Sequence, residues 1–504
     1  MTNTSNTLSS ACLIAITLTA LFENTATQAI SFGLYCLSIA LTFKLASSKN
    51  RLPLPWAMFA LLIPFITPLL LVALKPRPPN AIDVIDKCWL NMERDTNLMM
   101  VVGILLFDSP VDIRKLKDTL TLRLLTFDRF TSKLQLSDGY LCWQQDTDFD
   151  LDNHIEQHQL IDPNPEQALS ILASTLAETA LQQDRPLWKL HLVSYGDSPE
   201  TCQTAIIIRI HHCIGDGIAL IRVLLSMTDP TKDALRPTTH STKPTSPTTK
   251  SLGKILSTNI QFCLQFVFAL KSAFLLPDSS TSLKAPLSGR RKLAWSAPAD
   301  LARIKSLAHK HHGKVNDIVL AATAGALRRY FQHNNEQVDH LCVRVLVPIN
   351  IRPLSDEIVL GNKVGFIYFP LPIEVDSPIE RLLETKARMD NIKGGQEALL
   401  SYGFLVMLGL LPKSIQHPLV DLLNNNASST MTNVPGPKEA LSMASSPIQN
   451  LMFFGPQSGK MGVGISILSY NGKVTLGVSA DENMIPNPEL LVNYFTQEIE
   501  EWPE

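Results

Sequence analysis

Residues 211–217 read HHCIGDG and follow directly on the apolar run Ala205-Ile206-Ile207-Ile208-Arg209-Ile210. Two histidines, an aspartate and two glycines thus stand where a buried strand should end. A neutral imidazole suits a general base near pH 7, because its unperturbed pKa is about 6.5 and a positioned base contributes typically about 10² to 10⁴ in rate. Asp216, four residues beyond His212, is placed either to fix a ring nitrogen or to hold the turn through an arginine. Gly215 and Gly217 let the backbone turn tightly and approach a substrate closely. In an extended strand His212 shares a face with Ile206, Ile208 and Ile210, while His211 lies with Ile207 and Arg209. The two rings are therefore expected to point apart, with one of them reactive.

Other chemistries fit the seven residues less well. A metal site lacks a third ligand at useful spacing. Cys213 as an acyl-accepting nucleophile is turned away from His212 by the same parity. A solvated Asp-Gly loop is the plain alternative, since H-x-x-x-D occurs by chance in long chains, but here four defined positions follow a buried strand.

The turn has to be delivered by its neighbours. Trp188-Lys-Leu190-His-Leu192 alternates apolar and polar, Tyr195-Gly-Asp-Ser-Pro turns, and Thr204 to Ile210 returns, which predicts a hairpin ending at His211 and His212. Ile218 to Met227 has the length and apolarity of a helix. From Ala81 onward helical and strand patterns alternate as in an α/β or α+β protein with mixed sheets. At 504 residues the chain exceeds the size at which single cores stop growing. Residues 229–251, dense in Pro, Thr, Ser and Lys, read as a linker between a first half at 81–228 and a second at 252–504. Residues 260–276 and 398–411 are strongly apolar and read as core helices or as faces lying in lipid.

The net charge of -2 supplies no field to attract nucleic acid, so DNA and RNA are set aside as partners. The 8 cysteines include no C-x-x-C pair, which suggests neither a disulfide framework nor a zinc ribbon and favours a reducing compartment. H-E-x-x-H, Walker A, G-x-G-x-x-G and G-x-S-x-G are absent. A mean hydropathy of +0.10 is high for a water-soluble chain. Residues 24–43 and 52–74 carry no charge, and each approaches the roughly 20 residues that span a bilayer core. They are expected to form two transmembrane helices, with 11–22 as a partial third, making residues 1–80 an integral membrane anchor. A signal peptide is disfavoured because MTNTSNTLSS has no Lys or Arg. The flanking positive charges are too evenly shared to fix the orientation.

HHCIGDG matches the H-H-x-x-x-D-G motif of the wax ester synthase/diacylglycerol acyltransferase family, within the chloramphenicol acetyltransferase-like acyltransferases. Peptide-synthetase condensation domains carry the motif too. Further segments resemble the family in order: Trp89 to Met99 (WLNMERDTNLM), Arg185-Pro186-Leu187-Trp188, Asn316-Asp317, Leu346 through Arg352-Pro353, Gly361-Asn362 with Gly365, Asn433-Val434-Pro435-Gly436-Pro437, and Ser469-Tyr470-Asn471-Gly472. Two departures are the hydrophobic N-terminus, an addition to the pattern of many bacterial relatives, and Phe127 to Lys133, which follows the family's basic segment only loosely.

The resemblance implies two chloramphenicol acetyltransferase-like halves around a central channel, and an O-acyltransferase joining fatty acyl groups from acyl-coenzyme A to diacylglycerol or a fatty alcohol. It implies His212 and Asp216 as the catalytic pair, with His212 the base and Asp216 shaping the loop, Arg352 its partner. His211, Gly217, Pro186, Trp188, Asn316 and Asp317 are implied as support, and Asn433 as a candidate oxyanion donor. No metal or cofactor is expected, since acyl-coenzyme A is a substrate. Membrane lipid is an expected partner, and the catalytic part is expected to face the cytosol. Two other readings remain: a free-standing condensation-like acyltransferase, against which stands the lack of an adjacent carrier domain, and an inactive lipid-binding protein, which would have no need of His212.

Overall fold

The computed structural model of the chain describes residues 26–49, 51, 72, 76–229, 278–352, 357–393 and 397–503, with side chains from residue 37 onward apart from that of residue 393. Among them, the residues up to Ile82 together with Gln135–Gln144 form one compact unit. Those of Asp83–Leu134, Gln145–Ser246 and Leu264–Glu504 form a second.

The first unit contains helix α1 (Ala26–Ser48), which covers the first uncharged stretch. Its described side chains bury Ser38 and Thr42 beside Ile39 and Ala46, and Lys44 ends the apolar run. Among the described residues no helix is long and apolar enough to cross a membrane, so the expected transmembrane helices are not supported. The stretches 11–22 and 52–74, apart from Val72, lie outside the described residues, as do 230–251 of the expected linker and the apolar run 260–276.

The second unit is built on two mixed sheets. In chain order the strands of the described residues, those of both units together, are β1 (Met100–Phe107), β2 (Ser132–Ser137), β3 (Tyr140–Gln145), β4 (Ile155–Ile161), β5 (Trp188–Gly196), β6 (Gln203–His211), β7 (Arg291–Trp295), β8 (Ala299–Asp300), β9 (Val343–Asn350), β10 (Val364–Leu371), β11 (Ser429–Pro435), β12 (Ser442–Met443), β13 (Ser446–Phe454), β14 (Val463–Tyr470) and β15 (Lys473–Asp481). Six of them run in the order β12-β13-β1-β6-β5-β4. The larger sheet runs β10-β9-β11-β14-β15-β7, with β8 also on β15. The hairpin expected ahead of the histidines is the antiparallel pair β5–β6, in which Trp188 faces Ile210. Central position explains the unbroken Ile206-Ile207-Ile208 run of β6, because a strand with neighbours on both edges and cover on both faces has no polar side. Strand β13 comes from the second half of the chain, yet it pairs antiparallel with β1, Ile104 facing Met452.

Four further helices position the site. Helix α2 (Val84–Met92) starts at Asp83, whose carboxylate accepts from Ile85 N. Helix α3 (Pro165–Glu178) lies along β7, where Ser170 Oγ donates to Leu293 O and Leu293 N donates to Ser174 Oγ. Helix α4 (Gly217–Met227) matches the apolar stretch predicted after the motif. Helix α5 (Val315–His333) is held at its start by Asp317, whose Oδ2 accepts from Lys314 N at 2.8 Å. The apolar run near residue 400 forms helix α6 (Glu397–Leu410). It packs closely on α2: a Cβ at Gly409 would lie 2.1 Å from Val84 O.

Candidate active site

Strand β6 ends at His211, and the backbone turns from His212 onward. The ladder is carried past the strand end by His211 N to Leu187 O at 2.9 Å and His212 N to Met99 O at 2.8 Å. Both rings then reach the same helix segment. His212 stacks on Trp89, with ring centroids 4.1 Å apart, and His211 Nε2 lies 3.0 Å from Glu93 Oε2, one helical turn further on. Strand parity would send the two imidazoles to opposite faces, but parity holds only while the backbone stays extended, and here it stops between them.

Cys213 N donates to His211 Nδ1 at 3.1 Å, so that nitrogen keeps its lone pair and the ring proton sits on Nε2, toward Glu93. Burial disfavours a second proton on His211, while Cys213 and Glu93 pull its pKa upward; with Nδ1 accepting from Cys213 N, the proton on Nε2 is the one shared with Glu93. Burial likewise opposes ionisation of Glu93, while His211 and Met99 N bring its carboxyl below the ordinary value. His212 keeps some accessible surface but sits deep among protein atoms, and this burial lowers its pKa to about 4 against the pull of Asp216. Its Nδ1 is enclosed and has no hydrogen-bond partner among the described residues.

Asp216 binds neither imidazole. Its Oδ1 accepts from Ala219 N at 2.9 Å and caps α4. Its Oδ2 accepts from Arg352 at 2.8 Å and from Lys363 N at 2.9 Å. Of the two roles open to this aspartate, the geometry selects the one that holds the turn through an arginine. Both carboxylate and guanidinium are nearly buried, which makes the pair costly to break from one side only. Gly217 opens α4. The turn is tied to a second loop by Gly361 N to Ile214 O at 3.0 Å. Gly361 has φ 105°, where a side chain is strained, and a Cβ there would press on Arg129 and Asp86.

The other expected residues lie around this centre. Trp188 is buried at 2% exposure, with its Nε1 donating to Phe130 O at 2.8 Å and its ring stacked on His154. Pro186 is buried two residues before the same strand begins. Asn316 and Asn433 pair with each other, Asn433 Nδ2 donating to Asn316 Oδ1 at 2.9 Å on an exposed face. One amide hydrogen of Asn433 is thus committed.

Three close neighbours of the turn received no role from the sequence. Trp89 and Glu93 stand four apart in the WLNME segment, a spacing that puts both on one helix face. That spacing was the available signal. Asp86, buried and joined to Arg129 and Asn362, gave none.

Elsewhere, ligand atoms of Glu156, His158 and His191 all lie within 4.8 Å of one another. Arg209 Nε donates to His191 Nε2, so His191 carries its proton on Nδ1 and gives it to His158 Nε2 at 2.9 Å. Lys189 pairs with Glu156. Two cations and a protonated ligand nitrogen make this a hydrogen-bonded chain to buried Arg209, a poor setting for a metal ion.

Comparison with known proteins agrees with this layout. Residues 82–275 match the wax ester synthase/diacylglycerol acyltransferase catalytic domain, and residues 360–502 match the WS/DGAT C-terminal domain. The chain is 26% identical over 430 residues to a probable diacylglycerol O-acyltransferase of Mycobacterium tuberculosis, covering 81% of this chain and 92% of that one. It is 27% identical over 468 residues to the O-acyltransferase WSD of Acinetobacter baylyi, covering 84% and 96%. In fold it is similar to a wax ester synthase/diacylglycerol acyltransferase from Marinobacter aquaeolei, with a TM-score of 0.62 at 22% identity, over 84% of this chain and 98% of that one. The first condensation domain of the calcium-dependent antibiotic synthetase shares the fold with a TM-score of 0.55 at 14% identity, over 84% and 97%. With both domains of one family matched along a single chain and in order, the first of them containing the turn, this protein belongs to the wax ester synthase/diacylglycerol acyltransferase family.

Proposed function

We propose that the chain is an O-acyltransferase that moves a fatty acyl group from acyl-coenzyme A to diacylglycerol and/or a long-chain fatty alcohol, making triacylglycerol and/or wax ester for storage. The observation that carries this reading is His212 itself: an imidazole kept neutral by burial, set at a strand end and braced against Trp89. The curated relatives named above, called acyltransferases of this kind, support it.

In this mechanism Nδ1 of His212 is enclosed, so Nε2 takes the proton of the acceptor hydroxyl as the oxygen attacks the thioester carbonyl. The new C–O bond forms, the tetrahedral intermediate collapses with loss of the C–S bond, and the proton passes from Nε2 to the coenzyme A sulfur. A base with its pKa at about 4 is never lost to protonation near neutrality. The imidazolium that forms transiently is favoured by the Trp89 ring face, a contact worth about 0.5–2 kcal/mol, and by the nearby Asp216 charge. The developing oxyanion needs fixed donors. The free amide hydrogen of Asn433 or neighbouring backbone amides are assigned to it. Two chloramphenicol acetyltransferase-like halves enclosing a central channel are part of this reading. So is a membrane location, because acceptor and ester product are both bilayer-soluble.

The test is thin-layer chromatography of membranes expressing wild type or His212→Ala, supplied with radiolabelled palmitoyl-coenzyme A and either dioleoylglycerol or hexadecanol. Labelled ester from the wild type that is lost in the variant is the expected result, and it names the acceptor. Wild-type levels of ester from His212→Ala would overturn the mechanism.

A further inference from the structure

The turn carrying His212 is held by its backbone, from outside. Its successive carbonyls are each taken by a donor from a distant segment: His212 O by Asn362 Nδ2 at 2.8 Å, Cys213 O by Arg129 at 3.0 Å, and Ile214 O by Arg129 at 2.9 Å. One carboxylate joins the two donors. Asp86 Oδ1 accepts from Asn362 N at 2.9 Å and from Asn362 Nδ2 at 2.8 Å, and Asp86 Oδ2 lies 2.8 Å from Arg129. Asp86 is fully buried. A buried carboxylate is costly unless it is paired and hydrogen-bonded, and here Asn362 and Arg129 supply those partners. It lies on α2, three residues before Trp89. One helix therefore grips the imidazole by its ring, through Trp89, and by its backbone, through Asp86 and the two donors.

We propose that Asp86, acting through Arg129 and Asn362, is a positioning residue for acyl transfer: it fixes the backbone of residues 212–214 so that the His212 ring meets the acceptor hydroxyl at a productive angle. The proposal rests on His212 as the base. Geometry of this kind is worth large factors in rate, and small misplacements remove them. An anion is required at residue 86 because the half-buried guanidinium that holds Cys213 O and Ile214 O must itself be held in place.

The test uses the full-length enzyme with palmitoyl-coenzyme A and the acceptor that wild type prefers. Asp86→Asn is expected to lower kcat at least tenfold while the KM for palmitoyl-coenzyme A stays within about twofold, since nothing places Asp86 at the donor. Arg129→Lys, which keeps the charge, is expected to retain more activity than Arg129→Met. The decisive variant is Asp86→Asn with Arg129→Met, because removing both partners of a buried pair relieves the uncompensated charge. Its thermal midpoint is expected to return toward wild type while kcat stays at least tenfold down. Recovery of kcat together with the midpoint would show the pair to be purely structural and overturn the proposal. His212→Ala assayed alongside separates the two readings: if it is active, the base assignment falls and this proposal with it; if it is inactive while Asp86→Asn and the double variant turn over like wild type, the positioning role alone falls.

Discussion

Trp89 stacks on the His212 ring and helps to bury it. Burial is the main cause of the depressed pKa of about 4, and the indole stacked at 4.1 Å is part of that cover. Trp89→Ala is expected to let the pKa rise toward the free value of about 6.5 and to cost up to about tenfold in kcat at pH 8 from loss of the ring contact. The acid limb of kcat/KM should move up by roughly one pH unit or more; a pH–rate profile with an unmoved limb would refute this account. His212 and Asp216 are legible from the sequence because a strand end, a base and a tight turn are local features. The brace is not, since a tryptophan in an apolar helical segment reads as core until the partner ring is seen.

Elements carry the turn through their ends and their close approaches. Asp216 is both the cap of α4 and the partner of Arg352. Asn caps helices about as well as Asp, so Asp216→Asn keeps the cap and removes the acceptor shared by Arg352 and Lys363 N. Chemical denaturation should show a loss of about 3–5 kcal/mol, as for other buried pairs broken on one side. Adding Arg352→Met should restore much of it. Helix α6 approaches α2 through Gly409, where a methyl group would meet Val84 O at 2.1 Å. Gly409→Ala must push apart α6 and the helix that bears Trp89, so we expect about 1–3 kcal/mol of destabilisation and a parallel fall in kcat, read from thermal unfolding and initial rates. Hairpin β5–β6 and helix α4 follow from alternation and apolar length in the sequence. The meeting of α6 with α2 does not, because nothing local reports which face of an apolar helix finds which neighbour.

At the scale of the whole molecule the two halves of the chain share a sheet. Strand β13 closes the edge of β1, with Val102 facing Phe454, and an uncovered edge of this kind invites aggregation. A fragment of residues 83–229 is therefore expected to lack cooperative unfolding and to aggregate; a soluble fragment with a sharp transition would contradict this. Buried histidines also tie global stability to pH. His191 has its pKa lowered to about 3 by burial and by Arg209, against about 6.5 in the unfolded chain. The unfolded state binds more protons between those values, so stability is intact above pH 6.5 and declines as pH falls toward 3, by about 2 kcal/mol at pH 5 for this residue. In His191→Gln the drop in thermal midpoint between pH 7 and pH 5 should be smaller than in wild type. By itself the sequence determined the local frame: a histidine pair at a strand end, an aspartate in the turn after it, the hairpin before it, the helix after it and mixed α/β sheets. These depend on residue type and on periodicities of two and 3.6, which neighbouring residues specify. Tertiary structure alone decided that β13 completes the first sheet, that Trp89 and Glu93 take up the two histidines, and that Asp86, Arg129 and Asn362 hold the turn. Those contacts join residues far apart in the chain, and the burial that makes a charge costly, like the partners that offset it, exists only once the segments have met.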